Sequence, residues 1–226
     1  MRSCDTLFHI APSLLCCDQM NLKNEIENLD KLGVDWMHID VMDGSFVPNF
    51  AFGLDAIAGV RQVAKTPLYI HLMALHPEKH VESFAKLGVD YCSFHLETTH
   101  NPFRLCTRIR ELGMKPAITI NPITPVELLT DLASLLDAVT LMAVEPGFSG
   151  QSFMPCTYER IRRARTTLGS DVLIEVDGGV DNAIAVRCIE ASCDIVVGGY
   201  FNLFRKGSNL EDAYRMFQAS IAGLAK

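Results

Sequence analysis

Short runs of apolar residues, many β-branched or aromatic, recur along the chain. They alternate with stretches in which apolar positions return every three or four residues. The short runs are 7–11 (LFHIA), 36–40 (WMHID), 68–72 (LYIHL), 91–95 (YCSFH), 116–121 (PAITIN), 138–144 (AVTLMAV), 172–177 (VLIEVD) and 194–199 (DIVVGG). Each predicts a strand. Between and after them the spacing predicts helices near 21–32, 55–65, 77–87, 102–113, 125–136, 155–168, 181–191 and 209–224. Pro77 and Pro102 stand ahead of apolar stripes, and Thr124-Pro125 fits an N-cap followed by proline in the first turn. Gly33, Gly88 and Gly113 stand where left-handed caps end helices.

Eight strands alternating with eight helices require parallel pairing through crossovers. The repeat is about 28 residues in a chain of 226. A closed (β/α)8 TIM barrel satisfies this most economically. A doubly wound open sheet is the alternative, but it rarely uses eight equal units. No linker, low-complexity tract or shift of composition divides residues 1–226, so one barrel domain is expected.

Composition narrows the function. With 49% hydrophobic and 21% charged residues the chain reads as globular. A formal net charge of −7 speaks against a nucleic-acid partner. No apolar run approaches the ~18 residues that cross a bilayer, so no membrane association is expected. The N-terminal MRSCDTLFHIAPSLL carries Asp5, His9 and Pro12 within its apolar stretch, which makes a poor secretory signal. A cytoplasmic protein is expected. The eight cysteines (Cys4, Cys16, Cys17, Cys92, Cys106, Cys156, Cys188, Cys193) show no C-x-x-C spacing. They read as reduced thiols, mostly core residues, with a redox switch or a cysteine zinc site as alternatives. No cysteine stands in a base-flanked nucleophile motif.

Chemistry in such barrels sits at the C-terminal ends of the strands. There the second strand ends His38-Ile39-Asp40, and a period of two puts His38 and Asp40 on one face. The third strand ends near His71 and the seventh on Asp177. Two imidazoles and two carboxylates suit one divalent ion such as zinc, manganese, iron or cobalt. The plain alternative is four satisfied polar residues and loop caps. Glycines gather on the late strands: Gly147-Phe148-Ser149-Gly150 after the sixth, Gly178-Gly179 after the seventh, Gly198-Gly199 after the eighth. Such backbone can close on a phosphate, although each pair alone is an ordinary tight turn. Arg205 and Lys206 are the nearest basic residues after the eighth strand, so binding would rest on amides more than on salt bridges. Met42, Met73 and Met142 stand at strand ends, either as core filler or as an apolar cover that excludes water.

The segment HIDVMDGSFVPNFAFG (38–53) resembles the signature of the ribulose-phosphate 3-epimerase family. APSLL (11–15), IHLM (70–73), NPITP (121–125), VEPGFSGQSF (144–153) and EVDGGV (175–180) join it in the family's order, across nearly the whole chain. The resemblance implies a (β/α)8 barrel that inverts C3 of a phosphorylated ketose. It implies His38, Asp40, His71 and Asp177 as metal ligands, and Asp40 and Asp177 as the acid/base pair. It implies that Ser13 contacts substrate and that Gly147 to Gly150, Gly178 and Gly179 form the phosphate cradle; His71 and the three methionines are expected beside the substrate as well. Gly198 and Gly199 would form its last wall. It also implies a homo-oligomer.

Inversion beside a ketone agrees with this set, since two bases on opposite faces of a planar enediolate are needed. The chain departs from the family at three places. Tyr200-Phe201 follows Gly199 in place of a serine and a small residue, Cys16-Cys17 replaces Ser-Ala, and Ser149 replaces a glycine. Cys16-Cys17-Asp18 and Phe103-Arg104-Leu105 also resemble the sister allulose-6-phosphate 3-epimerases, so two sugars stay open: D-ribulose 5-phosphate and D-allulose 6-phosphate. A metal-dependent aldolase or decarboxylase would want a lysine at a strand end, and none stands beside the His/Asp set. A sugar-phosphate binding protein without turnover is the remaining alternative.

Overall fold

The computed structural model describes residues 8–222 and Leu224. Residues 1–7 of the N-terminal segment, with Cys4, Asp5 and Leu7 of the first predicted strand, lie outside the described residues, as does residue 223 of the last predicted helix.

Eight parallel strands follow one another around a ring: β1 His9–Pro12, β2 Met37–Asp43, β3 Leu68–Met73, β4 Tyr91–His95, β5 Lys115–Ile120, β6 Ala138–Met142, β7 Leu173–Asp177 and β8 Ile195–Gly198. Each pairs in parallel with the next, and β8 returns to β1. Between β1 and β2 the pairing is a single parallel bridge, Ser13 to His38. Ring and helices make the (β/α)8 barrel that the alternation of patterns predicts. A two-residue strand, Phe50–Ala51, folds back antiparallel on the end of β2, an element the pattern does not predict. β2 runs to Asp43, past its predicted end, and β6 stops at Met142, before its own.

The helices are α1 Leu22–Leu32, α2 Leu54–Val63, α3 Val81–Lys86, α4 Pro102–Glu111, α5 Thr157–Leu168, α6 Asn182–Glu190 and α7 Leu210–Ile221. Local chemistry sets their ends. Gly33 caps α1 in the left-handed conformation, at φ 72°. The Asp181 carboxylate accepts from the Ile184 amide to start α6. Two predicted helices come out differently. The 77–87 stretch divides into a 3-10 turn, Pro77–Lys79, and the short α3. Residues Val126–Leu135 form 3-10 helix, with Pro125 outside it as the N-cap. The buried residues there are Val126, Leu129 and Leu132, spaced by three, and a three-residue turn aligns them on one side.

Alternation along the strands separates two interiors. Outward residues such as Ile39, Ile70, Ile118, Val139, Ile174 and Val196 meet the helices in the main apolar core. Inside the ring, Ala11, Trp36, Tyr69, Tyr91, Ala117, Ala138 and Ile195 form a separate apolar plug. Above the plug the lumen is polar: His38, His71, Ser93, His95, Thr119, Thr140 and Glu175 are fully buried. No helix among the described residues is long and apolar enough to cross a membrane.

Gly179, at φ 69°, ties the loops after β6 and β7. A Cβ there would stand 2.6 Å from the Phe153 amide nitrogen and 2.7 Å from the Gln151 carbonyl oxygen. Gly113 has a similar φ, 86°, but open space around it. Gly113→Ala is expected to cost about 1–2 kcal/mol from the left-handed backbone alone. Gly179→Ala is expected to cost more, because the clash falls on backbone atoms that cannot swing aside. Urea unfolding of both variants checks the order.

Candidate metal centre and active site

His38 and Asp40 point into the lumen from β2, two residues apart, and His71 stands beside Asp40 in the β2–β3 register. Asp177 closes β7. One donor atom from each of the four lies within 4.8 Å of every other. His38 Nε2 is 3.3 Å from His71 Nδ1 and 3.4 Å from Asp40 Oδ1. His71 Nδ1 is 3.2 Å from Asp40 Oδ1 and 3.4 Å from Asp177 Oδ2, and His38 Nε2 is 3.7 Å from that same oxygen. Ligands about 2.0–2.1 Å from a zinc-like ion stand about 3.3 Å apart in a tetrahedron. The donor set therefore fits one divalent ion in both chemistry and spacing.

A second ring of contacts orients the donors. His38 Nδ1 lies 3.2 Å from Glu175 Oε1, and Thr140 donates to Glu175 Oε2 at 2.5 Å. A carboxylate only accepts, so the His38 proton sits on Nδ1 and the Nε2 lone pair faces the other ligands. Ser13 donates to Asp40 Oδ2 at 2.6 Å, which leaves Oδ1 toward the imidazoles. His71 Nε2 is 2.9 Å from His95 Nε2.

Burial works against a charged His38, but Asp40 and Glu175 outweigh it and push its pKa well up. Burial also opposes charge on His71, and Asp177 and Asp40 raise its pKa nonetheless. Burial would raise the Asp40 carboxyl, yet His38 and His71 hold it well below the usual range. The centre thus favours positive charge between its carboxylates, and a bound dication displaces the protons that otherwise supply it. Farther out, burial pushes the His95 imidazole down to about 4. Burial opposes ionisation of Glu97 too, but the neighbouring His95 imidazole and hydrogen bonds from Thr124 and the Asn121 amide bring it down to about 2.

A cavity opens above the centre at the C-terminal ends of the strands. Asp40, His71 and Asp177 line its floor and Ser13 its side, while His38 lies fully buried beneath. Met42, Met73 and Met142 line it as well, each nearly buried. Gly147, Phe148, Ser149 and Gly150 form one wall, and Gly178 and Gly179 continue it. No lysine or arginine is among the lining residues.

Gly199 lines the cavity and Gly198 does not: a Cβ on Gly198 would meet Leu203 and Ile10 on the helix side. Strand alternation sends these neighbours to opposite faces. The Gly199 amide donates to Asn202 Oδ1 at 2.8 Å, and Asn202 Nδ2 donates to the Val180 carbonyl at 3.1 Å. Tyr200 and Phe201 complete that side. The Tyr200 amide faces the Cys16 thiol, whose pKa burial, Asp40 and Asp177 push up to about 11. Such a thiol stays protonated and is no nucleophile.

Sequence reasoning passed over Glu175, His95 and Glu97. Glu175 sits two residues before Asp177 in an apolar strand, a charge on the lumen face that period-two reading exposes. His95 ends a strand whose alternate residues, Tyr91 and Ser93, face the same way.

Comparison with known proteins agrees with the geometry. The profile of the Ribulose-phosphate 3 epimerase family matches residues 9–202. A ribulose-phosphate 3-epimerase of Synechocystis sp. is 42% identical over 195 residues, covering 84% of this chain and 85% of that one. The Bacillus subtilis enzyme of the same name is 40% identical over 197 residues, with 85% and 91% covered. Among solved structures, a mutant tryptophan synthase alpha-subunit from Pyrococcus furiosus superposes with a TM-score of 0.68 at 15% identity, over 96% of this chain and 98% of that one. That likeness concerns the barrel alone. Profile, relatives and donor geometry agree, and the chain belongs to the ribulose-phosphate 3-epimerase family.

Proposed function

We propose that this chain interconverts D-ribulose 5-phosphate and D-xylulose 5-phosphate by inverting C3. The observation that carries the reading is the meeting of Asp40 and Asp177 at one cavity above two oriented imidazoles. Inversion beside a carbonyl removes the C3 proton from one face and returns a proton to the other. Asp40 and Asp177 come from β2 and β7, with β1 and β8 between them, and so reach a flat intermediate from two sides. When bound, a divalent ion of the zinc, manganese, iron or cobalt type supplies Lewis-acid stabilisation for the charge on the C2 and C3 oxygens.

The chain's own residues supply the rest. Ser13 holds Asp40 Oδ2 at the cavity side, where a proton is taken or given back. Met42, Met73 and Met142 keep water from the enediolate, which protects it and strengthens local electrostatics. The phosphate lies against the loops 147–150 and 178–179. With no cationic side chain lining them, backbone N–H groups bind it. Tyr200 and Phe201 wall the opposite side. We place the enzyme in the cytoplasm as a homo-oligomer. Supporting the first are seven free cysteines among the described residues, five of them buried, as expected of a reducing compartment. The second rests on family resemblance.

Asp40→Asn and Asp177→Asn are each expected to lower turnover by about 10²–10⁴-fold. In deuterated water the wild type should place solvent deuterium at C3 without cleaving a carbon–carbon bond; cleavage products would instead mark an aldolase. Offered five- and six-carbon ketose phosphates, the enzyme should show the higher kcat/KM for D-ribulose 5-phosphate. Preference for D-allulose 6-phosphate would reassign the substrate and leave the chemistry intact. Light scattering should give a mass of at least twice the 25.0 kDa protomer.

A further inference from the structure

We propose that His95 and Glu97 are positioning residues that fix the tautomer of His71, and thereby its capacity to hold the metal; the inference rests on the metal-dependent reading above. His71 Nε2 and His95 Nε2 are 2.9 Å apart, with both rings fully buried. Two nitrogens at that distance share one hydrogen, so one donates and the other accepts. The other nitrogen of His95 decides which. Nδ1 of His95 has no partner at good hydrogen-bond geometry, and its nearest charged neighbour is Glu97 Oε2, at 3.5 Å. The Asn121 side chain also faces this imidazole, and its Oδ1 is likewise buried without a partner.

Surrounded by acceptors, His95 Nδ1 carries the proton. His95 Nε2 then accepts and His71 Nε2 donates, so His71 Nδ1 can offer a lone pair once a metal ion displaces the proton that Asp40 and Asp177 draw to it. That lone pair is the atom 3.2 Å from Asp40 and 3.4 Å from Asp177. Glu97 is itself pinned. Its Oε1 accepts from the Asn121 amide at 2.9 Å and from the Thr124 hydroxyl. The line from Glu97 through His95 to His71 thus matches, one imidazole longer, the direct contact of Glu175 with His38.

The arrangement makes an isosteric change informative. In Glu97→Gln the Asn121 amide still demands an acceptor at the Oε1 position. The side-chain NH2 therefore falls at the Oε2 position and donates to His95 Nδ1. His95 must then protonate Nε2, and His71 must accept there and carry its proton on Nδ1, the ligand atom. The fold changes little, because shape and packing stay the same.

Zinc affinity of purified wild type and Glu97→Gln, measured by competition with a chelating dye, tests the relay. Long-range 1H–15N spectra of the metal-free proteins are recorded alongside. The expected result is a loss of affinity of about 10–100-fold in the variant, the usual effect of an outer partner of a ligating histidine. His71 Nε2 should carry a proton in the wild type and none in the variant, with an unchanged urea midpoint for the metal-free protein. His95→Gln, which can still present an acceptor to His71, should keep more affinity than His95→Phe. Equal zinc affinity in wild type and Glu97→Gln would overturn the relay and leave the epimerase reading standing. A wild type that binds no divalent ion would overturn the metal-dependent reading and the relay together.

Discussion

Four electron-rich atoms from three strands lie within 4.8 Å of one another, with five of their six pairs at 3.2–3.7 Å, where water barely reaches. Two imidazole lone pairs and two carboxylate oxygens repel one another unless positive charge sits among them. Burying unpaired charge costs several kcal/mol per ion, so such a cluster persists only if its environment compensates it. Protons or a dication between the ligands serve that end, and the raised His38 and His71 pKa values express the same demand. Much of the rest of the lumen answers to this constraint.

The polar layer beneath the ligands is one answer. A barrel interior is ordinarily packed with branched apolar residues. Here Thr140 and Glu175 occupy that layer and bind one another, and Tyr69 joins them through a 2.9 Å contact with Thr140. The Thr140 hydrogen is given to Glu175, so Tyr69 donates to Thr140, and the network converges on Glu175, which also accepts from His38. The aromatic plug of Trp36, Tyr69 and Tyr91 closes the barrel below. Together these layers turn side chains that rotate freely elsewhere into ligands of fixed aim, which a site for one small ion requires.

The upper rim answers a different demand. An anionic substrate approaches a chain of net charge −7 with no lysine or arginine lining the cavity. In the proposed reading, attraction rests on backbone dipoles and the metal ion. Loops carrying them must come close, and Gly179 allows it against Phe153 and Gln151. On the other side Asn202 ties the loops after β7 and β8, and the bulky Tyr200-Phe201 pair takes over part of the wall. Rigid strands place the chemistry, while loops set the shape of what enters.

Local periodicity shows in the sequence, and it sufficed for all eight strands and for the shared face of His38 and Asp40. It also put His71 and Asp177 at the same end of the barrel, because parallel strands end their chemistry on one side. The same logic, pressed further, exposes Glu175 behind Asp177. It could not show the 3-10 geometry of Val126–Leu135, since an apolar spacing of three fits an α-helix nearly as well. Nor could it separate Gly198 from Gly199, whose faces depend on where β8 ends. Tertiary structure alone decided that His71 meets His95, that Glu97 reaches it from beyond the strand, and that one bridge between Ser13 and His38 closes the ring. A strand's own repeat fixes which face a side chain takes, whereas register and closure around the barrel fix which atoms it meets there.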